Sequence, residues 1–312
     1  MLFDNCGRPT TNLRASLTQR CNLKCTYCHA EGQVPNSKPE EMTSAEVIRI
    51  VRVAISLGMT RIKLTGGEPL LRRDIIEIAK GISSVQCLRD LSMTTNGTRL
   101  SILAHELRKA GLMRVNVNLP SLDPEVYRGL TGGDLKKTLN GVKASVDAGL
   151  SPVKLNMLVL RGVNEPEIGP LTAFAKRTGA ILQILELEQI NVGDAYYGRY
   201  HRSLDDIEAE LRKEAREVRT RGDMQSRHVY SLPGVEVEVV HPIENSEFCA
   251  HCTRLRLTSD GMLKPCLMTT ANLVDILRPL RDGATDEQLK ELFIKAVGNR
   301  KPFYEPQINS QD

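Results

Sequence analysis

The sequence predicts an α/β protein: an open, partial (β/α)6 TIM-like barrel followed by a C-terminal α+β extension. Three observations carry this. Apolar, β-rich runs alternate with amphipathic stretches from residue 13 to residue 219, the pattern of strand-helix units wound around a parallel sheet. Six such units can be read, too few to close the usual eight-fold barrel. From about residue 226 the alternation gives way to short strands. These observations place a barrel domain over 1–225 and an extension, capping the open side, over 226–312.

The strands fall in order at 13–17 (Leu-Arg-Ala-Ser-Leu), 61–65, 91–95, 114–119, 153–160 and 180–187. A helix follows each. The first is the best marked, because Thr43 and Glu46 form a T-x-x-E capping box and Val47, Ile50, Val51, Ala54 and Leu57 share one face. The others are expected near 73–82, 100–110, 135–148, 166–178 and 203–219, the last highly charged and therefore solvent-exposed. In the extension, strands are expected at 227–231 and 235–240 and a helix near 285–297, followed by a loose tail containing proline. A barrel of this kind gathers its site at the C-terminal ends of the strands.

Composition narrows the function. The 312 residues hold one large domain and a small appendage. The net charge of +4 is spread without a basic run, and aromatics make up 4% with no Trp. That argues against a nucleic-acid groove, which needs clustered bases or stacking platforms; isolated bases at strand ends suit a small polyanion instead. The N-terminus has no basic start followed by an apolar run, and no stretch reaches the length of a membrane span, so no membrane role and a cytoplasmic location are expected. In that reducing compartment, eight cysteines point to metal rather than disulfides.

Cys21, Cys25 and Cys28 form CxxxCxxC directly after the first strand, with Tyr27 before the last cysteine. Three thiolates are one short of a closed 4Fe-4S site, leaving one iron open to a small molecule. Zinc with His29 as fourth ligand, or disulfides, would also use such cysteines, although zinc modules usually repeat a CxxC pair. A second incomplete set, Cys249, Cys252 and Cys266, lies near the other end and argues for a second cluster. Cys6 and Cys87 belong to neither: Cys87 is expected as a small buried hydrophobe and Cys6 in a mobile N-terminus. The run from Lys63 to Pro69 ends the second strand. There Gly66 and Gly67 allow close backbone approach, Glu68 can accept from an ammonium and Pro69 suits a helix start. In isolation Gly-Gly is an ordinary tight turn; one strand from CxxxCxxC it becomes a ligand clamp.

CxxxCxYC after the first strand, GGEP after the second and the six-unit pattern resemble the radical S-adenosylmethionine (SAM) superfamily. The segment from Cys249 to Leu267, with CxxCxRxR and a third cysteine after Asp260-Gly261, is similar to the auxiliary-cluster signature of the GTP 3′,8-cyclase family. The resemblance runs from Arg14 to about Leu277. It implies that Cys21, Cys25 and Cys28 hold one 4Fe-4S cluster, that Cys249, Cys252 and Cys266 hold an auxiliary 4Fe-4S cluster in the extension, and that Tyr27, Gly67 and Asn118 contact SAM. It implies further that Arg14, Lys63, Thr94, Lys154, Arg254 and Arg256 contact GTP, as guanidinium forks and ammonium point charges suit phosphate. The implied reaction is reductive cleavage of SAM, hydrogen abstraction from C3′ of GTP and closure of C3′ onto C8, giving (8S)-3′,8-cyclo-7,8-dihydro-GTP, the first step of molybdenum cofactor biosynthesis. The implied partners are an electron donor such as flavodoxin or ferredoxin and the next pathway enzyme, cyclic pyranopterin monophosphate synthase; a homodimer is compatible with the chain.

The sequence departs from the family pattern in places. Lys63 and Gln183 replace a frequent Arg, Asn118 stands where many relatives have Ser, and Glu188 replaces a Met. The chain ends Asn309-Ser310-Gln311-Asp312 rather than Gly-Gly. A peptide-modifying radical SAM enzyme is the nearest alternative, although such enzymes usually have more C-terminal cysteines and lack Arg254-Leu-Arg256. A non-catalytic nucleotide-sensing regulator would bind GTP without consuming SAM.

Overall fold

A computed structural model describes residues 1–33, 41–222, 225–241 and 246–303. The chain opens with a short antiparallel pair, β1 (Leu2–Phe3) and β2 (Pro9–Thr10). Six strands follow in the expected places: β3 (Asn12–Ser16), β4 (Arg61–Thr65), β5 (Asp90–Thr95), β6 (Arg114–Asn118), β7 (Val153–Leu158) and β8 (Ile181–Leu185). All six run parallel and pair in sequence order. Their helices are α1 (Ser44–Ser56), α2 (Ile75–Ser83), α3 (Leu100–Lys109), the pair α4 (Pro124–Thr131) and α5 (Leu135–Asp147), and α6 (Ile168–Thr178). The capping box of α1 forms as the sequence implies, with Thr43 and Glu46 satisfying each other's backbone N–H.

Alternation along the strands sorts the side chains into two sets. Leu13, Ala15, Ile62 and Leu64 are buried in the core, which the amphipathic helices complete. Arg14 and Lys63, between them, face the other way into a cavity. Register then aligns the polar residues across neighbouring strands: Arg14 opposite Lys63, Thr94 opposite Asn116, and Asn116 opposite Lys154.

The chain continues through α7 (Asp194–Tyr200), α8 (Asp205–Glu214), β9 (Glu217–Arg221), β10 (Arg227–Leu232), β11 (Val235–Val240), α9 (Ser246–Ala250), β12 (Arg254–Leu257), β13 (Met262–Lys264), β14 (Val274–Asp275), α10 (Leu277–Arg281) and α11 (Asp286–Gly298). Among the described residues one 12-stranded sheet has the order β14-β13-β12-β3-β4-β5-β6-β7-β8-β11-β10-β9. The later strands therefore extend the barrel sheet at both edges. β12 pairs parallel with β3, and β11 pairs parallel with β8.

Several expectations need correcting. The helix expected over 203–219 ends at Glu214, and Glu217–Arg221 forms a strand paired with β10. High charge there marks an exposed edge strand as well as it marks an exposed helix. α4 and α7 were not anticipated: at eight and seven residues they are too short to show helical periodicity. The N-terminus is anchored, because the buried Asp4 carboxylate accepts from Arg8 Nε at 2.7 Å and from the Cys6 and Arg8 backbone N–H groups. Cys87 is exposed, not buried, in the turn after α2 at φ 68°. The tail beyond residue 303 lies outside the described residues, and no helix among them is long and apolar enough to cross a membrane.

Candidate active site

The cysteine loop is held in place by the turn at the end of β4. Gly67 N–H donates to Thr18 O at 2.7 Å and Glu68 N–H to Arg20 O at 2.8 Å, so the two loops share backbone hydrogen bonds. A Cβ on Gly67 would stand 2.4 Å from Arg20 O, and one on Gly66, at φ +153°, would stand 2.6 Å from Thr18 O. The glycines are thus needed for loop-on-loop packing. Glu68 corrects a sequence expectation: it is fully buried and accepts from Thr95 Oγ1, Asn96 N–H and Leu70 N–H at 2.7–2.9 Å, and this internal set occupies it. Pro69 opens a single 3-10 turn with Glu68 as its cap.

Cys21, Cys25 and Cys28 all line the same cavity. Cys21 Sγ accepts from Leu23 N–H and Cys28 Sγ from Ala30 N–H, each at 3.4 Å. Burial pushes the Cys25 thiol up to about 12, and its neighbours Cys28 and Cys21 add to the rise. Burial raises the Cys21 thiol as well, and a cationic metal cluster would offset the cost of making these two thiols anionic. Among the described residues no group of His, Cys, Asp or Glu could hold a single metal ion. Beside them Tyr27 is buried, and its hydroxyl accepts from Asn118 Nδ2 at 2.9 Å.

The same cavity is lined by cations. Arg14, Lys63, Thr94, Lys154, Arg254 and Arg256 all line it, as do Tyr27, Gly67 and Asn118. Arg256 Nη1 donates to Glu31 Oε2 at 2.6 Å, and Arg14 lies 3.5 Å from Glu31 Oε1. Burial alone would raise Glu31; Arg14, Arg256 and His29 overcome it and hold the carboxyl at about 2. Lys154 Nζ pairs with Glu238 at 2.6 Å, and Gln183 Nε2 bonds the same oxygen. Among the described residues Lys63 Nζ has only a neutral acceptor, Asn116 Oδ1 at 2.8 Å. Burial drives Lys63 well below its ordinary value, and Arg114, Arg14, Arg254 and Lys154 push it further. Arg254 makes no ion pair among the described residues. Its charge is disfavoured by burial and then by Arg227 and Arg14. Such a concentration of underpaired cations is a site for a multiply charged anion.

Cys249, Cys252 and Cys266 gather at the start of β12 and the end of β13 and do not line this cavity, although their neighbours Phe248 and Leu267 do. Burial raises Cys266, with Cys252 and Cys249 adding to the rise, which places the three thiols in one electrostatic neighbourhood. Burial also opposes the Cys252 thiolate, but Arg300, Arg254 and Arg256 outweigh it and lower the thiol. Arg8 Nη1 donates to Cys249 O at 2.8 Å and Arg300 Nη2 to Cys252 O, so the N-terminal hairpin and the segment after α11 both brace this loop.

Sequence reasoning missed Glu31, Asn116, Glu238 and Arg227. Glu31 follows Cys28 by three residues at φ 53°, and the nearby Gly32 was the one local hint of a left-handed turn.

An open parallel sheet, a three-thiol loop above its C-terminal edge and a cavity facing both define a radical SAM protein. Residues 15–175 match the radical SAM superfamily, and residues 180–306 match Molybdenum Cofactor Synthesis C. A protein of Methanothermobacter thermautotrophicus described as probable GTP 3′,8-cyclase is 47% identical over 305 residues, covering 97% of this chain and 99% of the relative. One of Thermococcus kodakarensis with the same description is 49% identical over 311 residues, covering 97% and 100%. The chain belongs to the GTP 3′,8-cyclase family of radical SAM proteins. Among solved structures, Streptococcus suis SuiB bound to S-adenosylmethionine superposes with TM-score 0.63 at 16% identity over 93% of this chain and 68% of SuiB. In the complex of SuiB with precursor peptide SuiA the values are 0.62 and 17%, and this chain spans 60% of that one. Native anSMEcpe with bound AdoMet gives 0.57 at 15% identity, over 93% and 81%. These likenesses bear on the fold alone. Membership of the superfamily implies one 4Fe-4S cluster and bound SAM.

Proposed function

We propose that the protein is a GTP 3′,8-cyclase that converts GTP to (8S)-3′,8-cyclo-7,8-dihydroguanosine 5′-triphosphate, the first step of molybdenum cofactor biosynthesis. The observation that carries this reading is a single cavity lined both by Cys21, Cys25 and Cys28 and by Arg14, Lys63, Lys154, Arg254 and Arg256. When bound, the cluster and SAM would supply one-electron chemistry: one electron cleaves SAM, the adenosyl fragment released takes the hydrogen from C3′, C3′ bonds to C8, and a second electron and a proton complete the dihydro ring. Cys21, Cys25 and Cys28 would hold that cluster. Cys249, Cys252 and Cys266 would hold a second, beside the guanine end of GTP.

The chain's own residues position and shield. Tyr27, Gly67 and Asn118 form the wall for SAM. The basic residues fix the triphosphate, so that C3′ is held at one place relative to the cysteine loop, the source of a proximity advantage. Helix α7 brings Tyr196, Tyr197 and Tyr200 against Tyr27, Leu160 and Leu187, packing apolar surface beside the thiols and keeping water from reactive species. The electron donor would be a flavodoxin or ferredoxin, the product would pass to cyclic pyranopterin monophosphate synthase, and the setting would be the cytoplasm.

The test is anaerobic incubation of the reconstituted protein with SAM, GTP and a chemical reductant. We expect 5′-deoxyadenosine together with an isomer of GTP that separates from it chromatographically. Formation of 5′-deoxyadenosine with GTP returned unchanged would overturn the assignment.

A further inference from the structure

We propose that Arg227, delivered from β10, is a further contact to the polyphosphate end of the substrate. This rests on the GTP reading above and deepens it. Arg227 lines the cavity, and its buried Nε has no hydrogen-bond partner among the described residues. A buried guanidinium N–H left unpaired is costly unless a ligand completes it.

The neighbouring strands explain why the vacancy falls here. Gln183 is opposite Glu238 in the β8–β11 register, and its amide is tied to that carboxylate. Glu238 is itself committed, to Lys154 at 2.6 Å and to Arg221 at 3.0 Å. Among the described residues Arg227 has one side-chain bond, from Nη2 to Gln225 Oε1 at 3.0 Å, and none to Glu238 or to Glu188, which also lines the cavity. Gln225 and Ser226 take φ of 66° and 51°, conformations that side-chain-bearing residues adopt rarely, so the backbone delivering Arg227 is held at some cost. Among the described residues, eight Lys and Arg line the cavity against four Asp and Glu, an excess that matches a polyphosphate rather than a zwitterion. Burial brings Arg227 down to about 10 against the pull of Glu238, with Arg14 and Arg221 adding to the fall, so an incoming anion would stabilise its charge.

The experiment measures anaerobic equilibrium binding of GTP, guanosine, inorganic tripolyphosphate and SAM to the reconstituted wild type and to Arg227→Gln and Arg227→Lys. Arg227→Gln should weaken GTP and tripolyphosphate about ten- to a hundred-fold, leaving guanosine and SAM unchanged, and Arg227→Lys should recover part of the loss. Tripolyphosphate separates the two claims. If the wild type binds tripolyphosphate but not GTP, the GTP reading fails while the anion contact is still scored. Equal tripolyphosphate affinity in wild type and Arg227→Gln overturns the inference. So does a parallel loss of SAM binding and thermal stability in both variants, which would mark Arg227 as a purely structural brace.

Discussion

Arg254 and Arg256 stand two residues apart on one strand, and the structure gives them different neighbours. Arg256 is engaged with Glu31, whereas Arg254 meets no carboxylate among the described residues. Arg254→Ala should therefore weaken GTP about ten- to a hundred-fold while leaving the melting temperature close to wild type. Arg256→Ala strips a buried carboxylate of its nearer partner, and breaking a buried pair costs about 3–5 kcal/mol. Its melting temperature should fall clearly. Calorimetric unfolding and GTP titration on the same preparations check the contrast, and equal losses of stability in the two variants would contradict it. The basic residues themselves were named through the resemblance of the surrounding motifs to the family. Their partners were not, since Glu31 and Arg256 are separated by 225 residues and only the fold brings them together.

At the scale of elements, the segments after β8 were the hardest to read. α7 has no buried residue and no side-chain cap; its tyrosines pack on the cysteine loop, so its stability comes from contacts made after folding. Just beyond β11, His241 ties three elements together, with Nδ1 hydrogen-bonded to Glu186 at 2.8 Å at the end of β8 and Nε2 ion-paired with Glu208 at 3.2 Å on α8. The hydrogen bonds to Glu186 and Glu208 raise it from 6.5 to about 10. A raised folded value gives stability that is complete below about pH 6.5 and lost as pH climbs through about 10. Lys264 works the other way: burial and Arg256 lower it to about 8, so the unfolded chain binds the extra proton between there and 10.5 and stability rises over that range. The clean measurement is thus the difference between wild type and His241→Gln in urea unfolding from pH 6 to pH 10. The gap should be largest at pH 6 and shrink steadily; a constant gap would show that His241 does not titrate with folding.

For the whole molecule, one cysteine triad lines the cation-lined cavity and the second lies outside it, next in sequence to the lining residues Phe248 and Leu267, with β12 beside β3 as the link between them. Reconstituted protein should carry about eight iron and eight sulfide per chain. Cys252→Ala should halve that content and retain SAM cleavage while losing GTP cyclisation, whereas Cys25→Ala should lose both activities. Iron and sulfide analysis beside a 5′-deoxyadenosine assay decides it, and loss of SAM cleavage to the same degree in both variants would mean that the triads do not act independently. The sequence by itself determined the six strand-helix units, both cysteine triads and the tight turn after β4, because periodicity, ligand spacing and turn chemistry are local properties of the chain. Only the tertiary structure decided that the extension lengthens the sheet at both edges, that Glu68 braces the cysteine loop, that Glu31 and Glu238 engage some of the cations, and that Arg227 is left facing the cavity. Those outcomes depend on strand order and register, which bring distant residues into hydrogen-bond range, and no local pattern in the sequence encodes which distant partner each side chain will meet.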